Sequence, residues 1–212
     1  MSDERVEGPY HESWEPLSPE ACDPDPDSQF AAWFDQARAH MREPEAICVA
    51  SADAGGQPHA RMVLLRVHGP EGYGWYTNYE STKGVDLAEN PRAAILWYCE
   101  PLGRQVRIEG VVERMSADAS DAYFAGRARG HQIAALASDQ SRPVASRTEL
   151  EERVARLEIE YAGREVPRPA HWGGFLLHPH HYEFWQHRRD RLHDRVIYER
   201  DDAAWRRLRW MP

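Results

Sequence analysis

The apolar positions fall first on a helical period and then on a strand period. Phe30, Trp33, Phe34, Ala37 and Met41 are spaced i, i+3, i+4, i+7 and i+11, which predicts one amphipathic helix. Asp27 or Ser28 is placed to cap its start, and Pro44 follows its end. Ahead of it, residues 1–27 are polar, acidic and proline-rich, closing on Asp23-Pro24-Asp25-Pro26-Asp27. That composition predicts a flexible arm over 1–27 and one folded domain over 28–212.

After the helix the apolar runs shorten and turn residues punctuate them. Segments 46–51, 61–68, 73–77, 93–98 and 105–115 read as strands. Ala54-Gly55-Gly56-Gln57-Pro58 and Gly69-Pro70-Glu71-Gly72 read as turns. A short helix is predicted over 85–89 and another from Ser116 through Phe124, followed by an Arg- and Gly-rich loop. Thr148-Glu149-Leu150-Glu151 has the capping-box pattern for a helix through Tyr161. Segments 173–177, 182–185 and 196–199 are further strands, and 205–210 closes the chain. Strands and helices do not alternate at βαβ spacing, so a parallel α/β fold is not expected. The pattern predicts a mainly β fold with peripheral helices, an antiparallel barrel.

Composition narrows the function. A length of 212 residues suits one domain. Eight tryptophans and nine tyrosines point to large buried contacts, including a subunit interface. The net charge of −9 argues against nucleic-acid binding by charge alone. Cys22, Cys48 and Cys99 are odd in number and show no CxxC spacing, which fits a reducing cytoplasm. No leader or apolar span is visible, so a cytoplasmic protein without a membrane partner is expected. His178, His180 and His181 flank Pro179 but have no Cys or acidic partner at ligand spacing, so no metal is expected.

Of 26 basic residues only Lys83 is a lysine. Its isolation suggests a position that needs a compact ammonium, most simply for a phosphate. Upstream, Arg61 and Arg66 bracket a strand; alternation aims them at opposite faces, as if for two anions. Gln105 offers an amide suited to a heterocycle edge. Tyr123 and Arg127, four apart, suit a phosphate clamp if one helix carries both. Arg191, His193 and Arg195 alternate, so on a strand they share a face, while Leu192 opposite and Trp185 nearby suggest a pocket floor.

Several motifs occur in order: RMVLLR (61–66), YTNYESTKG (76–84), GRQVRIEG (103–110), YFAGRARG (123–130), SDQS (138–141), HWGGF (171–175), EFWQ (183–186) and RLHDR (191–195). Together they resemble the pyridoxine/pyridoxamine 5′-phosphate oxidase family, from about Phe30 to Pro212. The resemblance implies an FMN-binding split β-barrel of antiparallel Greek-key type, acting as a homodimer with FMN at the subunit interface. The FMN contacts it implies are Arg61, Met62, Val63, Leu64, Leu65, Arg66, Tyr76, Thr77, Thr82, Lys83, Gln105, Gln140, Ser141, Trp185 and Arg195. The substrate contacts it implies are Arg66, Tyr123, Arg127, His131, Arg191 and His193. Arg191 and His193 are the residues expected at the reacting centre, orienting the pyridine ring rather than acting as an essential base.

The implied reaction oxidises pyridoxamine or pyridoxine 5′-phosphate to pyridoxal 5′-phosphate, with oxygen as acceptor and hydrogen peroxide as product. This chain departs from the pattern at five positions: Arg66 for Lys, Thr82 for Arg, Ala128 for Pro, His131 for Ser and His187 for Gly. Arg66 and His131 fall in the implied substrate-phosphate site. They leave open an alternative, a flavin oxidase of a phenazine-like secondary metabolite.

Overall fold

The computed structural model describes residues 16–212 apart from position 203. The chain runs α1 (Pro26–Ala37), β1 (Ala46–Ala52), β2 (Pro58–Leu64), β3 (Tyr73–Asn78), α2 (Thr82–Glu89), β4 (Arg92–Cys99) and β5 (Arg104–Arg114). It continues through α3 (Ala117–Ala125), α4 (Arg129–Ala137), α5 (Arg147–Glu160), β6 (Trp172–Gln186), β7 (Asp194–Asp201) and β8 (Ala204–Arg209). The strands pair in the order β2-β1-β4-β5-β6-β7-β8, every pairing is antiparallel, and β3 joins through β6.

β6 is one strand of 15 residues where the sequence suggested two. Its first half pairs with β3, its second half with β7, and β5 runs beside both. The sheet therefore divides along β6. Pro179 lies opposite Gly110, where the β5–β6 register shifts; a bulge tolerates a residue without an N–H. A Cβ on Gly110 would run into the carbonyl oxygen of His178, so the close approach requires glycine.

α1 covers one face of the sheet, as its period requires. Phe30, Trp33, Phe34 and Ala37 are buried. Phe30 meets Trp97 and Tyr73 edge-on at 5.8 and 5.2 Å, and Trp33 meets Phe184 at 5.2 Å. The cap is Asp25, not Asp27 or Ser28, because Pro26 takes the first helical position. Asp27 instead accepts the hydroxyls of Tyr73 and Tyr182 at 2.8 and 2.6 Å. Burial raises its carboxyl above the ordinary range, against the lowering by those two hydroxyls.

The acidic stretch before α1 is packed from Leu17 onward. Leu17 and Cys22 are core residues, and Leu17 bonds Asp194 and Arg209 at the far end of the chain. A free arm reaching residue 27 is therefore corrected for 16–27; residues 1–15 lie outside the described residues. α4 stands where a loop was expected. Its period is hidden by Arg129 and Gly130, but Ile133 and Ala137 are buried, and Gln132 donates to Phe124 O at the end of α3. α5 is capped two residues earlier than the suggested box: Ser146 Oγ accepts from Glu149 N, while Glu149 accepts from Ala145 N.

Candidate active site

A cavity of about 1070 Å³ opens beside β2, between α2 and the α3–α4 pair. β3 sends Thr77 toward it, and the turn after β3 places Lys83 in the first turn of α2. Gly84 lets that turn form, because a Cβ there would strike Tyr79 O. Lys83 is buried, and its Nζ donates to Thr77 Oγ1 (2.8 Å), Ser81 Oγ (3.0 Å) and Gln140 Oε1 (2.6 Å). All three are neutral oxygens. Burial, then the charge of Arg61, pushes its pKa down to about 8. An ammonium held so is one that an anion would stabilise.

Arg61 lies close by. Its Nη1 donates to Val49 O, Ser51 Oγ and His59 O, and its Nη2 stands 3.6 Å from the buried Asp86. Opposite, Tyr76 and Tyr123 stack at 3.7 Å and 3°, with Trp172 5.6 Å from Tyr76. Arg127 lies 4.5 Å over Trp172. Its Nη1 is buried without a hydrogen-bond partner among the described residues. Burial lowers its pKa, Tyr123 opposes that, and Arg66 adds to it. Arg127 and Arg66 are thus near neighbours of like charge, an arrangement that favours an anion between them.

The cavity gathers most of the expected residues. Arg61, Met62, Val63, Leu64, Arg66, Tyr76, Thr77, Thr82 and Lys83 line it. So do Tyr123, Arg127, His131, Gln140 and Ser141, the last in the left-handed region at φ 68°. Arg61 and Arg66 line the same cavity, because β2 ends at Leu64 and strict alternation stops there. α3 ends at Ala125, so Arg127 reaches the cavity from beyond the helix rather than on its face. Leu65 is buried in the core and not on the cavity wall.

Gln105, Trp185, Arg191, His193 and Arg195 do not line this cavity. Gln105, Trp185 and Arg195 form a row across β5, β6 and β7. Arg195 Nε donates to the buried Glu183 at 2.6 Å, which raises the pKa of Arg195. The shared face proposed for Arg191, His193 and Arg195 is corrected. β7 begins only at Asp194, and Asp190 and Arg191 turn the chain at φ 57° and 60°. Leu192 is 69% exposed and is no pocket floor. His193 still packs 4.5 Å from Trp185. Its Nδ1 accepts from Arg188 N at 3.1 Å, and burial with Arg191 lowers its pKa. The neutral ring then carries its proton on Nε2.

His59, Asp86 and Trp172 were not among the expected contacts. His59 was legible in principle, since it lies two residues before Arg61 and shares its strand face. No cluster suited to a metal occurs among the described residues, and none of their helices is long and apolar enough to cross a membrane.

The fit to FMN rests on two observations. A buried ammonium faces only neutral acceptors, and a buried guanidinium has an unpaired N–H in the same cavity. The volume suits a ligand of drug size or larger.

Comparisons agree. Residues 34–161 match the family model described as pyridoxamine 5′-phosphate oxidase. Residues 172–212 match the pyridoxine 5′-phosphate oxidase C-terminal dimerisation region. A pyridoxine/pyridoxamine 5′-phosphate oxidase of Rubrobacter xylanophilus is 49% identical over 92% of this chain and 91% of its own. One from Janthinobacterium sp. is 49% identical over 92% and 93%. Among solved structures, PhzG from Burkholderia lata in complex with tetrahydrophenazine-1-carboxylic acid aligns with a TM-score of 0.87 at 30% identity, covering 95% of this chain and 100% of that one. A pyridoxamine 5′-phosphate oxidase-related, FMN-binding protein from Nostoc punctiforme shares the fold, with a TM-score of 0.70 at 16% identity, over 90% and 100%.

Proposed function

The chain belongs to the pyridoxamine 5′-phosphate oxidase family, and from that premise we propose how its residues serve the reaction. It is an FMN-dependent oxidoreductase on the split-barrel fold, converting pyridoxamine or pyridoxine 5′-phosphate to pyridoxal 5′-phosphate. FMN bound in this cavity would supply the redox chemistry of the oxidation, with oxygen as the final acceptor. The observation that carries the site assignment is the pairing of two cationic groups in one cavity.

Lys83 and Arg61 hold the FMN phosphate, with Thr77, Thr82, Gln140 and Ser141 around it. Arg66, Tyr123 and Arg127 hold the substrate phosphate. His131 lines the same wall. The stack of Tyr76, Tyr123 and Trp172 keeps water from that end.

The protein forms a homodimer, as its dimerisation region indicates. The FMN site lies between protomers, and Gln105, Trp185, Arg191, His193 and Arg195 reach the cavity of the partner. Two observations support this: none of the five lines its own cavity, and four of them fall within residues 172–212. There Arg191 and the Nε2–H of His193 orient the pyridine ring. The compartment is the reducing cytoplasm, supported by the free thiols of Cys22, Cys48 and Cys99.

The phenazine-type alternative has weaker support, with 30% identity to PhzG against 49% to the vitamer oxidases. Purified protein tests the assignment directly. Its yellow colour should bleach without air on adding pyridoxamine 5′-phosphate, and peroxide should form with air. Absence of turnover with both phosphorylated vitamers would refute the substrate assignment.

A further inference from the structure

We propose that His59 is an additional ligand of the FMN phosphate, held in place by Asp86. The inference rests on the cofactor reading above and adds a residue to it.

His59 and Arg61 sit on one face of β2, two residues apart, and both line the cavity. His59 Nδ1 lies 3.0 Å from Asp86 Oδ2. The same carboxylate oxygen accepts from Ser51 Oγ at 2.6 Å and stands 3.6 Å from Arg61 Nη2. Asp86 is buried at 3% exposure, so its position is fixed by packing as well as by these contacts. It sits three residues after Lys83 and four after Thr82, on the same side of α2. Asp86 therefore ties β2 to the helix whose first turn carries Lys83.

This geometry leaves His59 with one committed nitrogen and one for a ligand. Nδ1 is engaged by Asp86, and the ring lines the cavity with its side chain 34% exposed. The carboxylate on one ring nitrogen fixes the orientation of the ring. Charge balance points the same way. Arg61 and Lys83 against Asp86 leave one positive charge, whereas a bound phosphomonoester carries close to two negative ones. The His59 ring adds a further hydrogen-bonding group to that set. Thr82, beside Lys83 in the first turn of α2, supplies no charge of its own. His59 contributes from β2, across the cavity from that helix turn.

The experiment is a flavin titration of apo-protein, followed by flavin fluorescence, at about pH 6, where imidazoles are largely charged. His59→Gln keeps a hydrogen-bonding group toward Asp86 but carries no charge. FMN is compared with riboflavin, which lacks the phosphate. The expected result is an FMN Kd raised roughly five- to tenfold in His59→Gln, the scale of one charge-assisted contact. Riboflavin should bind both proteins alike, showing that the variant retains its fold and ring site. Equal FMN affinity in the two proteins would overturn the proposal. So would equal weakening of both flavins, which marks a structural role. If the wild type binds FMN no more tightly than riboflavin, the phosphate assignment of Lys83 and Arg61 falls with it. Wild type that binds neither flavin overturns the cofactor reading itself.

Discussion

Lys83 Nζ donates to Gln140 Oε1 at 2.6 Å across 57 residues of sequence. The contact joins the first turn of α2 to the loop after α4 and closes one end of the cavity. Thr77 Oγ1 touches both partners, at 2.8 Å from Lys83 and 3.3 Å from Gln140. The ammonium is held ready by neutral groups, so it is positioned before any anion arrives. Lys83→Ala should weaken FMN binding by about 1–3 kcal/mol, the cost of losing a hydrogen bond to a charged group. Fluorescence titration of apo-protein checks this, and unchanged affinity would remove Lys83 from the site.

The same residue sets a pH dependence. Its folded pKa, about 8, lies below the ordinary lysine value of 10.5, with burial as the main cause. Between those two values the unfolded chain holds the proton and the folded protein does not. Stability of the apo-protein therefore gains from this group as pH rises through that window. FMN binding runs the opposite way, because the phosphate wants the charged amine. Its affinity should fall as pH rises through about 8. Urea unfolding and flavin titration over one pH series should show opposite slopes. Parallel slopes would contradict the assignment.

Arg127 separates substrate from cofactor. It lies on Trp172 with an unpaired buried Nη1, on the side of the cavity that holds Tyr123. Arg127→Met keeps much of the stacked volume and removes the charge. KM for pyridoxamine 5′-phosphate should rise about ten- to a hundredfold, the scale of losing a charge-assisted phosphate contact. FMN affinity should stay within about twofold by the same reasoning. Steady-state kinetics and flavin titration on one preparation test both halves, and loss of FMN binding would move Arg127 to the cofactor end.

Gly110 tests the seam of the sheet. Its lack of a Cβ lets the carbonyl of His178 approach at the β5–β6 bulge. Gly110→Val should destabilise the protein by about 1–3 kcal/mol, the range for forcing extra atoms into packed structure. The shift in urea midpoint measures it. An unshifted midpoint would mean that the bulge relaxes freely.

What could be read from the sequence follows the range of the forces involved. The face of α1 was legible because four buried apolar residues repeat at helical spacing. Its cap was misplaced because three aspartates and two prolines compete within five positions, and only packing assigns Asp27 to the tyrosines. The continuity of β6 was hidden by Pro179, whose tolerance depends on a bulge in another strand. α4 was hidden because its start has no side-chain cap and its first residues are polar. In the site, single residue types were legible: a lone lysine, two arginines and a phenol. Their grouping was not. Which residues share a cavity depends on long-range contacts such as Lys83 with Gln140, and His59 gained meaning only once Asp86 stood beside it.

The separation of the site into two sets gives the strongest test of the dimer. Lys83 belongs to the cavity, whereas His193 lies outside it, against Trp185. Lys83→Ala and His193→Ala should each lower activity when made alone. A symmetric dimer uses the same surface twice. In a mixed dimer, the cavity of the His193→Ala protomer keeps Lys83 and receives His193 from its partner, so one site of two is whole. The other site lacks both residues. Unfolding the two variants together and refolding them should yield mixed dimers for about half the population, and thus roughly a quarter of wild-type activity by random pairing. Sites built within single protomers would give no such recovery, because every protomer in the mixture carries one defect. Recovered peroxide formation in the refolded mixture, absent from either variant refolded alone, is the expected outcome; activity no higher than the mean of the two variants would place His193 outside the shared site.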